Sequence, residues 1–99
     1  MENHELTFRQ FQNQVRDRYF ARDLERGAPA TFLWLLEEVG ELATALNLAS
    51  MGSRDQANLE EEFADVLAWV FTLANLSNVD IAEALRKKYL TGEGPRGHK

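Results

Sequence analysis

The sequence contains no cysteine, and that absence removes disulfides, thiolate nucleophiles and cysteine-ligated zinc or iron–sulfur centres together. Any metal must be held by oxygen or imidazole. Imidazole is itself scarce, since His4 and His98 are the only histidines and both lie outside the helices read below. A di-iron carboxylate bundle, which needs a histidine three residues after a glutamate on two helices, is therefore disfavoured. No apolar run reaches the roughly 18 to 20 residues of a membrane span, so no membrane partner is expected. The opening residues Met1 to Glu5 lack the basic-then-apolar pattern of a secretory signal, which leads to the expectation of a cytoplasmic protein. Strand-like alternation, hairpin turns and repeats of about 20 to 50 residues are also missing, and the fold class expected is all-α. Basic residues are in deficit. Lys and Arg number 11 against 16 Asp and Glu, a net charge of -5, which argues against non-specific nucleic-acid binding.

What is present divides into four helical stretches in a single domain, 1–99, with a helical core over about 7–90. Thr7 and Gln10 form a capping box, after which Phe8, Phe11, Val15 and Tyr19 recur at helical spacing; the first helix is expected from about Thr7 to Leu24. Gly27 and Pro29 interrupt the chain, and a second helix is expected from about Ala30 to Ala49, ending near Gly52. Asn58 with Glu61 reads as the start of a third helix through about Leu76, and Asp80 with Glu83 as the start of a fourth to about Leu90. The segment 91–99 has nothing to bury and is expected to be a flexible tail. On a wheel of the second helix, Leu35, Val39, Leu42 and Leu46 cover one side. The second and third helices are apolar nearly all round, so a second subunit is expected to cover them, as a homodimer or homotetramer.

Against this apolar background two acidic clusters stand out, Glu37-Glu38-Val39-Gly40-Glu41 and Glu62-Phe63-Ala64-Asp65. Residues three apart on a helix point the same way, so Glu38 with Glu41 and Glu62 with Asp65 form two pairs of oxygen ligands. The pairs share their faces with Trp34, Ala45 and Leu48 and with Val66, Trp69 and Leu73. Like charges carried into an apolar setting repel one another unless a cation joins them, and hard oxygen donors suit magnesium, with manganese as a substitute. Such ions usually sit between protein and phosphate oxygens, which implies a phosphorylated ligand. The plainer reading is a solvated acidic face or a set of structural ion pairs.

The paired motif resembles that of the MazG-like nucleotide pyrophosphohydrolases, an all-α family marked by Glu-Glu-x-x-Glu followed one helix later by Glu-x-x-Asp. The resemblance extends over about residues 7 to 90 and includes the Lys88-Tyr89 ending. It implies a four-helix MazG-like bundle completed by homo-oligomerisation. It further implies that Glu38, Glu41, Glu62 and Asp65 bind magnesium, with Glu37 holding a further ion or orienting the attacking water alongside Glu38. The reaction implied is hydrolysis of a ribo- or deoxyribonucleoside triphosphate between the α and β phosphates, to monophosphate and pyrophosphate, in a nucleotide house-cleaning role. Trp69, one turn beyond Asp65, is placed to stack on base or sugar, and Trp34, one turn before Glu38, invites the same argument; core packing is the alternative for both. Lys88 matches a lysine used towards phosphate, although the basic run Arg86-Lys87-Lys88 also complements a helix dipole. Gly92 stands where many relatives carry asparagine. A phosphoribosyl-ATP pyrophosphatase-like enzyme and a non-catalytic helical interaction module are the competing readings.

Overall fold

The structure, a computed structural model, describes residues 5–91. Within them the chain forms helices α1 (Phe8–Arg26), α2 (Ala28–Ser50), α3 (Gln56–Leu76) and α4 (Ile81–Tyr89), and no strand. Apart from Thr91, the segment expected to be a flexible tail lies outside the described residues, as do His4 and His98.

Each boundary has a local cause. At α1 the capping box forms on both sides: the Gln10 backbone N–H donates to Thr7 Oγ1 at 3.0 Å, and the Thr7 N–H donates to Gln10 Oε1 at 2.9 Å. Gly27, at φ 84°, ends α1 and opens α2, a backbone conformation in which a Cβ would be strained. Pro29 sits in the first turn of α2, where its missing N–H is no loss, so α2 begins before the proline rather than after it. The cap of α3 is likewise earlier than the expected Asn58. Asp55 accepts from the Asn58 backbone N–H at 3.1 Å and thereby places Asn58 inside the helix. Asp80 caps α4 in the same way through the Glu83 N–H.

α2 and α3, joined by residues 51–55, pack along their lengths, and α1 lies mainly against α3. Phe71 of α3, 1% exposed, is the centre of the second contact, with the rings of Phe8 and Phe11 at 5.7 and 5.3 Å. A buried amide knot fixes α1 to the α3–α4 turn. Gln12 Nε2 donates to Asn75 Oδ1 and to the Val79 carbonyl, Gln12 Oε1 accepts from the Ile81 N–H, and Asn75 Nδ2 donates to the Gln12 carbonyl.

The covered side of α2 differs from the wheel drawn on the sequence. Thr31, Leu35, Glu38, Leu42, Ala45 and Ala49 form the buried or half-buried seam, whereas Val39 and Leu46 are exposed. One neighbouring helix covers only a narrow stripe with alternating steps of three and four residues. Phe32, Leu36, Val39 and Leu46 therefore form an open apolar stripe on α2, and Phe63 and Leu67 of α3 are open as well.

Candidate functional site

The α2–α3 seam carries Glu38 inward from one helix and Glu62 from the other, because each shares its stripe with covered apolar residues one turn away on either side, Leu35 and Leu42 for Glu38 and Leu59 and Val66 for Glu62. Glu41 lies one turn beyond Glu38 and closes the group. Single carboxylate oxygens of Glu38, Glu41 and Glu62 all lie within 4.8 Å of one another. Glu38 and Glu62 are half-buried and Glu41 is exposed. Glu38 Oε2 and Glu62 Oε2 are both shut off from solvent and without a hydrogen-bond partner.

Such crowding acts on protonation. Burial, then a hydrogen bond that protonated Glu38 donates to Glu41 and the negative charge of Glu41, then the charges of Asp65 and Glu62 push the Glu38 carboxyl up from its ordinary 4.5 to about 7. Burial also raises Glu62, assisted by the charges of Glu41 and Asp65 and by hydrogen bonding with Glu41. A group of acids that can be fully ionised only against its own repulsion, with two buried oxygens unpartnered, fits a hard divalent cation.

Asp65, one turn after Glu62, is exposed and outside the 4.8 Å group, although its charge acts on both Glu38 and Glu62. Its side chain is one methylene shorter than that of a glutamate. Glu37 is exposed beside Glu38. Trp34 and Trp69 stand together at one end of the acidic group, their rings nearly parallel with centroids 6.4 Å apart. This pairing follows from antiparallel packing: one turn before Glu38 on α2 lies across from one turn after Asp65 on α3. Lys88 occupies the last turn of α4 with its ammonium 5.6 Å from the Tyr89 ring, and the principal contacts of α4 are with α1. The structure thus gathers Glu38, Glu41, Glu62 and the two indoles, and leaves Lys88 on a different helix pair.

Sequence reasoning passed over a second polar group at the α1–α2 turn. Arg26 Nη2 donates to Asp23 Oδ1 at 2.6 Å, Arg26 Nε donates to Thr31 Oγ1 at 2.8 Å, and the Thr31 hydroxyl donates to the Gly27 carbonyl at 2.7 Å. Asp23 is 3% exposed and Thr31 is fully buried. The Arg26 guanidinium lies 5.0 Å from the Trp69 ring centroid, so the knot bears on the indole. The spacing of Asp23 and Arg26, three residues apart, was the available signal, but such pairs are common on helix surfaces.

A comparison with curated proteins returns no match. The sequence profile of the MazG nucleotide pyrophosphohydrolase domain matches residues 27–90, a span that contains both acidic pairs and Trp34, Trp69 and Lys88 while leaving α1 outside. The seam of carboxylates therefore lies wholly within the matched segment, and the chain belongs to the MazG nucleotide pyrophosphohydrolase domain family.

Proposed function

We propose that the protein is a magnesium-dependent nucleoside triphosphate pyrophosphohydrolase that cuts between the α and β phosphates and releases monophosphate and pyrophosphate. The observation that carries this reading is the approach of Glu38, Glu41 and Glu62 to within 4.8 Å, with two of their buried oxygens unpartnered. Glu38, Glu41 and Glu62 would hold magnesium, or manganese in its place, with Asp65 at the edge of the group. A cation bound there supplies neutralisation of phosphate oxygens and acidification of water. Glu37, exposed beside Glu38, orients the attacking water and accepts its proton. The water oxygen bonds to the α phosphorus, the bond from that phosphorus to the bridging oxygen breaks, and the bridging oxygen leaves with pyrophosphate. Trp69 contacts the nucleoside, and Lys88 meets phosphate from α4 or from the α4 of a second subunit. The uncovered stripe of Phe32, Leu36, Val39 and Leu46 supports assembly into a homodimer or homotetramer. Clearing unwanted nucleotides from the pool is the task such an activity serves.

The test is product analysis in water labelled with heavy oxygen, across canonical and modified nucleoside triphosphates with magnesium. Label in the monophosphate together with pyrophosphate is expected, and Glu38→Gln and Asp65→Asn should abolish turnover while the far-ultraviolet circular dichroism is retained. Orthophosphate with diphosphate would place attack at the γ phosphorus and refute the mechanism. Turnover of phosphoribosyl-ATP alone would favour the related enzyme reading, and no turnover of any nucleotide would favour the interaction module.

A further inference from the structure

The side of α1 that faces α3 belongs neither to the acidic group nor to the span matched by the family profile. Along it Arg18, Arg22 and Arg26 recur every four residues and so share one face of the helix. With Ala68 and Trp69 of α3 they line a cleft of about 410 Å³, a volume in the range of small-molecule sites. Its walls are partly apolar and aromatic, through Phe11 and Tyr19 as well as Trp69.

Three features describe what the cleft would accept. Arg18 and Arg22 are exposed and, among the described residues, neither has a hydrogen-bond or ion-pair partner, so their donors are available. Asp23 also lines the cleft. One of its oxygens is committed to Arg26, and the other, Oδ2, is buried without a partner. An orphaned carboxylate oxygen is destabilising until a donor reaches it. Finally, the Arg26 guanidinium, held over the Trp69 ring, offers a base a cationic surface to stack on beside the indole edge, one helical turn or about 6 Å from Asp65.

A phosphate group would satisfy the arginines but would be repelled by Asp23 and would waste the aromatic wall. A nucleobase satisfies all three features. Among the bases, guanine joins two adjacent acceptors, N7 and O6, which a guanidinium meets in bidentate fashion, to a donor edge beside O6, from which the one unpartnered oxygen of Asp23, Oδ2, can accept. We propose that the α1–α3 cleft is the base-reading site of this enzyme and that Arg22 and Asp23 make it select guanine. The inference rests on the hydrolase reading, which places the triphosphate at the neighbouring carboxylates.

The experiment is a nuclear magnetic resonance titration of the full chain, free of metal, with the four nucleoside 5′-monophosphates, following the Trp69 indole N–H and the Arg22 Nε–H. Guanosine monophosphate should shift both signals and bind about tenfold tighter than the others, and Arg22→Gln should erase that preference. Because Asp23 also holds the α1–α2 turn, Ala68→Leu provides a second variant that fills the cleft without touching the knot. It should abolish the shifts while leaving the melting temperature near that of the parent. Equal shifts with all four monophosphates would overturn guanine selection, and unshifted Trp69 and Arg22 signals would overturn the site itself. Selective binding of guanosine monophosphate without hydrolysis of any triphosphate would uphold the cleft and overturn the hydrolase reading. Hydrolysis of all four triphosphates at equal kcat/KM without a shift at Trp69 would do the reverse.

Discussion

Replacing Glu38 by glutamine in the metal-free protein should stabilise it at alkaline pH and flatten its dependence on pH. The Glu38 carboxyl sits half-buried among Glu41, Glu62 and Asp65, and holds its proton up to about pH 7 rather than 4.5. The folded state therefore binds more protons than the unfolded state between those two values. By linkage, the stability associated with this group is fully present below pH 4.5, declines as pH rises through 7, and changes little above that. Fully expressed, the elevation corresponds to roughly 3 kcal/mol, and solvent screening of a half-buried group reduces this to about 1–2 kcal/mol. Glu62, raised in the same direction, adds to the trend. Glu83, lowered chiefly by its hydrogen bond to Arg86, acts below about pH 4.5 and does not oppose it. Urea unfolding in EDTA at fixed protein concentration, at pH 5.5 and pH 8.0, measures the effect. The parent protein should lose about 1 kcal/mol on going to the higher pH, because only the part of the window between about pH 5.5 and 7 is crossed, and Glu38→Gln should be the more stable of the two at pH 8.0. A parent protein that grows more stable towards pH 8.0, with Glu38→Gln less stable there, would show that the acidic seam is not under repulsion and would remove the electrostatic argument for a cation.

Magnesium should raise the melting temperature of the parent protein, since a ligand present at 100 times its Kd adds about 2.7 kcal/mol; the rise should be larger at pH 8.0 than at pH 5.5 and be lost in Glu62→Gln, as differential scanning calorimetry would show. Gln12→Leu keeps the side-chain volume but orphans the Ile81 N–H and strips two acceptors of their donor, so chemical unfolding should show a loss of about 2–4 kcal/mol. Val39→Glu changes an exposed position on the open stripe of α2, and sedimentation should therefore show a smaller assembly than the parent with the helical content unchanged; an unchanged assembly would place the subunit contact elsewhere.

What could be read from the sequence divides according to which physical signal is local. The caps at Thr7 and Asp80 depend on residues three apart, and both form. Pro29 and Asn58 show where local rules compete. A proline can end a helix or occupy its first turn, and Asp55 outranks Asn58 as a cap because it stands first in the chain with a backbone N–H three residues on to accept from. The acidic pairs were legible because charge at helical spacing on an apolar stretch is rare. Their depth was not, since whether Glu38 faces α3 depends on which narrow stripe of an all-round apolar helix its neighbour chooses. That choice explains why Val39 and Leu46, placed on the covered side by the wheel, are open, while Glu38 lies in the seam with Leu35 and Leu42. It also ties the two faces of α2 together physically. Turning the helix to bury Val39 against α3 would swing Glu38 out and part it from Glu62, so keeping the carboxylates together leaves the apolar stripe in need of other cover. A second copy that closes on Phe32, Leu36 and Val39 would therefore hold α2 in the rotation that keeps Glu38 opposite Glu62.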